Sequence, residues 1–235
     1  MTDANDLVPP PPSLSENAHL KSMEEYHTMY QRSIEDPDGF WTEVAENFHW
    51  YSKWDEVREY NYDRRQGPIF INWFTGAKTN VCYNCIDRHL ETRANKTAII
   101  WEGNEPGEDA EISYRDLHER VSRFANVLKS RGVQKGDRVS IYMPMVPEAV
   151  VAMLACCRIG AVHSVVFGGF SADALADRIV DSNCKILITA NGTFRGAKAI
   201  TMKPNADKAM IRASELMGEP VKTCVVVRRV GEDSG

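Results

Sequence analysis

Two short stretches of this sequence combine residue types suited to holding a phosphate. In Asn191-Gly192-Thr193-Phe194-Arg195-Gly196-Ala197-Lys198, two cations flank two small residues. Cations at that spacing can converge on one phosphate through charge-assisted hydrogen bonds. A solvated loop with two surface charges has the same composition, and the local pattern leaves both readings open. The other stretch, Phe167-Gly168-Gly169-Phe170-Ser171, puts two glycines ahead of a serine. Glycine lets a backbone approach a ligand closely, and a serine N-cap opens a helix whose first N–H groups can face an anion. The stretch is not a GxGxxG fingerprint, and a tight turn without a ligand reads the same way.

Other chemistry-bearing residues point elsewhere. His163 lies within an apolar run and reads as a packed core histidine, while His118 and His27 sit on polar helical stretches. No motif sets any of them beside a serine or cysteine nucleophile. There are six cysteines. Cys82-x-x-Cys85 has metal-ligand spacing but no second pair, so the expectation is reduced thiols and no metal site. Arg228-Arg229, after the last apolar run, reads as a solvated edge.

Alternating elements must position these stretches. Thr97 to Trp101 reads as a short strand and Gly103 to Ala110 as an acidic turn. Ser113 and Asp116 form a capping box for a helix whose apolar face is Leu117, Val121, Phe124 and Leu128. Strands are expected at Val139–Met143, Val162–Phe167, Lys185–Thr189 and Thr223–Val227. Helices between them start at Pro147, Ser171 and Asn205, with Gly160 and Gly218 as stops. Near-continuous apolar strands alternating with helices imply an α/β fold with an open, mostly parallel sheet, in which ligands bind beyond the carboxyl ends of the strands. The Pro147 helix is apolar nearly all round and is expected to be buried against the sheet.

Upstream the pattern differs. Residues 1–20 read as a disordered tail, with Pro9 to Pro12 favouring an extended polyproline segment. Residues 21–82 are an aromatic-rich helical and loop segment. There Asp36-Pro37 starts a helix presenting Phe40, Val44, Ala45 and Phe48, and the large rings are expected to pack the segment onto a neighbouring domain. Residues 83–235 form the α/β part.

Composition narrows the partners. The formal net charge of −5, with cations scattered along the chain, argues against nucleic acid. The longest apolar run, Ala149 to Cys157, is too short to cross a membrane, and no secretory signal is read, so the expected location is cytoplasmic.

The chain resembles the acetyl-coenzyme A synthetases of the adenylate-forming ligase superfamily. The resemblance runs from about Tyr26 to the C-terminus. It is carried by Asp38-Gly39-Phe40-Trp41, Trp73-Phe74-x-Gly76, Thr79-Asn80-x-Cys82-Tyr83-Asn84-Cys85, Trp101-Glu102-Gly103-Asn104-Glu105-Pro106 and Tyr142-Met143-Pro144-Met145-x-Pro147-Glu148. The longest run is Arg158-Ile159-Gly160-Ala161-Val162-His163-Ser164-Val165-Val166-Phe167-Gly168-Gly169-Phe170-Ser171. The resemblance implies that residues 83–235 are an incomplete AMP-binding domain. It also implies a ligase that uses acetate, ATP with Mg2+, and coenzyme A. The family's CoA-nucleotide loop matches Arg195, Gly196, Ala197 and Lys198, and a CoA-contacting glycine matches Gly169. Asn191-Gly192-Thr193-Phe194 departs from the acidic residues often found ahead of that loop. The family's Ser/Thr/Gly-rich phosphate loop ending in Pro-Lys, its acyl-pocket tryptophan and its catalytic lysine are not among these residues. No catalytic residue is therefore assigned within the chain, and the 235-residue chain alone is expected not to adenylate acetate and to leave a sheet edge and the Pro147 helix partly exposed. A non-catalytic CoA-binding or interaction module and a propionate-using ligase are the alternatives.

Overall fold

The computed structural model describes residues 9–231, which fall into two compact units divided between Thr79 and Asn80. Part of the expected tail, residues 1–8, lies outside the described residues. Within the rest of it, α1 (Pro12–Asn17) is a short helix with no buried residue.

In the first unit, α2 (Met23–Glu35) begins where Ser22 Oγ accepts the Glu25 N–H. α3 (Pro37–Glu46) begins at Asp36, whose carboxylate accepts the Gly39 N–H at 3.0 Å. Proline in the first turn costs nothing there, because its missing N–H would have no helical partner. β1 (Glu56–Asn61) and β2 (Phe70–Thr75) then form an antiparallel pair, an addition to the helices and loops expected of this segment. Some of the aromatics pack on one another within the unit. Trp50 lies 5.2 Å from Trp54 and 5.3 Å from Phe74, and its indole N–H donates to the Ala45 carbonyl at 2.8 Å.

The second unit opens with α4 (Val81–Cys85), α5 (Leu90–Arg93) and the antiparallel pair β3 (Thr97–Glu102) and β4 (Asp109–Ser113). α6 (Tyr114–Ser130) starts at the Ser113 cap, β5 (Arg138–Met143) follows, and α7 (Pro147–Ile159) starts at its proline. The chain continues through β6 (Val162–Phe167), α8 (Ala172–Ser182), β7 (Ile186–Ala190), β8 (Gly192–Arg195), β9 (Lys198–Thr201), α9 (Lys203–Met217) and β10 (Thr223–Val227). β10, β7, β5 and β6, in that order, make a four-stranded parallel sheet.

Side chains alternate across this sheet, as the pleat requires. Val139, Ile141 and Met143 of β5 join a core with Val121 and Leu128 of α6 and Ala152 and Cys156 of α7. Tyr142 and Leu187 face the other way, onto Leu175 and Ile179 of α8 and the alanines Ala206, Ala209 and Ala213 of α9. Helices thus cover both faces of the inner strands, and β7 is buried at every position. Burial fails at the edge: on β6, Val162, Val165 and Phe167 are exposed. α6, α4 and the sheet cover α7, whose apolar side chains are buried or, as at Met153, Leu154 and Ile159, partly exposed, as expected of it.

The strand order reverses winding beside β5. The chain passes from β5 to β6 on one side, then returns across β5 to β7 and on to β10. In doubly wound sheets, the crevice at the carboxyl ends beside such a reversal is where ligands bind.

Candidate functional site

A cleft of about 340 Å³ opens at the carboxyl ends of the sheet. Met143, Phe167, Thr193 and Arg229, from the ends of β5 and β6 and from the segments after β7 and β10, all line it. So do Gly168, Gly169 and Arg195, while Trp101 to Asn104 reach it from the end of β3.

The turn after β6 is tight. The Phe170 N–H donates to the Phe167 carbonyl at 3.0 Å, and the buried Tyr142 hydroxyl donates to the Phe170 carbonyl at 2.8 Å. A Cβ on Gly168 would stand 3.0 Å from the Met143 carbonyl oxygen, so glycine lets the turn pass against the end of β5. Ser171 Oγ accepts the Ala174 N–H and caps α8. Gly169 is exposed and lies on the cleft wall.

The expected loop at Arg195 is the tip of a β-hairpin. β8 and β9 pair antiparallel with Arg195 opposite Lys198, leaving Gly196 and Ala197 as the two-residue turn. Gly196 has φ +54°, the positive value that such a tight hairpin demands at its first central position. The cations are therefore cross-strand neighbours on a short ladder. Both are exposed, and among the described residues neither side chain makes an ion pair or hydrogen bond. Only Arg195 lines the cleft; Lys198 and Ala197 sit outside its wall.

Asn191 sets the base of the hairpin. It is buried between β7 and β8, and its side-chain oxygen accepts the Arg229 and Val230 N–H groups at 2.8 and 3.1 Å. Its amide donates to the Val230 carbonyl at 3.0 Å, and its own carbonyl accepts the Met202 N–H at 2.9 Å. An asparagine amide both donates and accepts, so one side chain ties the segment after β7 to the segment after β10. A carboxylate here would have no donor for the Val230 carbonyl.

Arg229 departs from the solvated edge expected of it. Its guanidinium pairs with Glu108 at 2.5 Å and lies over the rings of Trp101, at 5.3 Å, and Phe194, at 5.1 Å. The Trp101 indole in turn donates to the Met145 carbonyl at 2.9 Å. The Arg229 guanidinium, and after it the Asn104 N–H, hold the Glu108 carboxyl down to about 2. Asn104 Nδ2 donates to the Gly196 carbonyl at 2.7 Å, so the turn between β3 and β4 also touches the hairpin tip. Sequence reasoning missed Arg229, Glu108 and Asn104. The one sequence signal near them is the Trp101 to Pro106 stretch, which carries part of the resemblance.

The histidines lie apart from the cleft wall. His163 Nδ1 is 3.7 Å from Cys157 Sγ, and His118 is 3.4 Å from Asp87, which also forms a two-point pair with Arg158 at 2.7 and 3.1 Å. Cys82 and Cys156 are buried, which pushes their thiols up to about 11 and about 12. Among the described residues no helix is long and apolar enough to cross a membrane, and no group of three or more His, Cys, Asp or Glu is placed to hold a metal ion.

The chain is similar to known proteins. A family model described as acetyl-coenzyme A synthetase N-terminus matches residues 26–85, and one described as AMP-binding enzyme matches residues 86–234. The chain is 55% identical over 97% of its length to an acetyl-coenzyme A synthetase of Saccharophagus degradans, and 56% identical over 97% to one of Halorhodospira halophila. It spans about a third of the length of these curated relatives, 34% of each. An acetoacetyl-CoA synthetase from Streptomyces lividans superposes with a TM-score of 0.75 over 95% of this chain and 34% of its own, at 23% identity, a likeness of fold. The chain belongs to the AMP-binding enzyme family, and ahead of that region it carries an acetyl-coenzyme A synthetase N-terminus.

Proposed function

We propose that this chain is the N-terminal part of a cytoplasmic, AMP-forming acetate–CoA ligase, in which it holds the nucleotide end of coenzyme A. In that reaction an acetate oxygen attacks the α-phosphate of ATP, forming acetyl-adenylate and releasing pyrophosphate. The CoA thiol then attacks the acyl carbon, giving the thioester and a proton and releasing AMP. Residues 21–82 are the N-terminal segment of such a ligase and residues 83–235 an incomplete adenylate-forming domain, following the tail of residues 1–20.

The observation that carries this reading is the hairpin. Like charges directly across a ladder repel, so Arg195 and Lys198 cost the empty hairpin stability. A phosphate between them removes that repulsion and gains two charge-assisted contacts. In this reading Arg195, Gly196, Ala197 and Lys198 take the CoA nucleotide, and Gly169 leaves room for it at the cleft wall. Magnesium accompanies ATP in the first step. The first step also needs a phosphate loop of a kind these 235 residues do not contain. The chain alone is accordingly assigned binding without turnover, and pyrophosphate release from acetate and ATP by it would contradict that assignment.

Calorimetric titration with CoA and, in parallel, with pantetheine tests the reading. CoA should bind and pantetheine, which lacks the nucleotide, should not. Equal binding of the two would place recognition on the pantetheine arm and overturn the assignment to the hairpin.

A further inference from the structure

Arg229 lines the cleft, yet its guanidinium already has an ion-pair partner and two aromatic neighbours. Its charge is matched by Glu108, its guanidinium lies over Trp101 on β3 and Phe194 on β8, and its backbone N–H is bound by Asn191. Its side chain is only 18% exposed. Arginine suits this place because its flat, weakly hydrated group can lie over rings while its edge meets a carboxylate. Phe194 is the residue before Arg195, so a bracket on the Phe194 ring fixes the strand from which Arg195 projects. At the other end of the same acidic turn, Asn104 holds the Gly196 carbonyl. The turn between β3 and β4 therefore grips the hairpin twice: through Glu108 and Arg229 at Phe194, and through Asn104 at its tip.

We propose that Arg229 is a positioning residue for phosphate recognition: bracketed by Glu108, Trp101 and Phe194, it aims Arg195 into the cleft and does not itself contact the ligand. The inference rests on the reading that the hairpin takes the CoA nucleotide.

The two roles open to a cleft arginine predict opposite effects of one neutral change. If Arg229 contacted phosphate directly, Glu108→Gln would remove a competing carboxylate and CoA would bind as tightly or more tightly. If Arg229 positions the hairpin, Glu108→Gln loosens the bracket and CoA binding weakens.

The experiment is calorimetric titration of the chain with CoA, comparing wild type with Glu108→Gln, Arg229→Met and Arg229→Lys. The expected result is a loss of affinity of about tenfold in Glu108→Gln and in Arg229→Met, an effect of the size one charge-assisted contact supplies. Arg229→Lys should recover part of that loss, since lysine keeps the ion pair. Glu108→Gln alone decides between the roles if Arg229→Met does not fold. Unchanged or tighter CoA binding in Glu108→Gln, with wild-type binding intact, would overturn the inference and leave the hairpin reading standing. No CoA binding by wild-type chain would overturn both.

Discussion

Arg195 and Lys198 stand directly opposite each other across the β8–β9 ladder, two exposed cations joined by a two-residue turn. A ladder stabilises opposite charges in this register and is weakened by like ones. The hairpin thus holds a charge arrangement that disfavours its own empty state and favours an anion.

That conflict separates stability from binding. Lys198→Gln should raise the stability of the free chain by about 0.3 kcal/mol by removing the cross-strand repulsion. The same change should weaken CoA binding, because one charge-assisted contact is lost. Urea unfolding and CoA titration of the same variant check both signs. Lower stability together with unchanged binding would count against the paired-cation account.

Acid should release the base of the hairpin late. Glu108 is held well below the ordinary carboxylate value of 4.5, at about 2, first by Arg229 and then by the Asn104 N–H. A group whose pKa is lowered on folding adds stability above its unfolded value and loses it as pH falls toward the folded one. Wild type should therefore exceed Glu108→Gln in stability by a constant margin above about pH 4.5, and the margin should shrink as pH falls to about 2. Unfolding midpoints of the two proteins over that range measure it. A margin that persisted down to pH 2 would show that the carboxylate charge is not what holds Arg229.

The thiols should differ sharply in reactivity, because the thiolate is the nucleophile and burial disfavours it. Cys85 is exposed, whereas Cys82 and Cys156 are buried with thiols pushed up to about 11 and about 12. Iodoacetamide at neutral pH should label Cys85 first and reach Cys82 and Cys156 only after unfolding, as mass spectrometry of the peptides would report. Early labelling of Cys82 would contradict the packing of α4 into the core.

How much of this was legible follows from how local each signal is. The strands Val162–Phe167 and Thr223–Val227 are short apolar runs between breakers and appear with the bounds read from sequence. The Ser113 and Ser171 caps and the Pro147 start are one-turn signals and hold. α9 begins earlier than the Asn205 start, at Lys203, because Pro204 is tolerated in a first turn. The β8–β9 pair was read as a loop, since strands of four residues show too little alternation to register. β1 and β2 were hidden for a related reason: much of both is exposed on either face, so no buried stripe marks them.

The cations of the candidate site were legible in the sequence, and the residues that support them were not. Arg195, Gly196 and Gly169 could be selected because charge and backbone freedom are properties of a few adjacent residues. Arg229 could not, because its partners Glu108, Trp101 and Phe194 meet it only through the fold. Asn191, which looked like a departure ahead of the cation loop, serves the structure: it accepts from Arg229 and Val230 and donates to Val230 at one buried junction.

The most direct test of the account is calorimetric titration of CoA into the chain beside an Arg195→Ala, Lys198→Ala double variant. The account predicts binding by the wild type that weakens with added salt, as exposed charges are screened, and a loss of at least about tenfold in a variant that remains folded. Equal affinity in the two proteins would contradict it, because the nucleotide would then be held without the two cations of the hairpin.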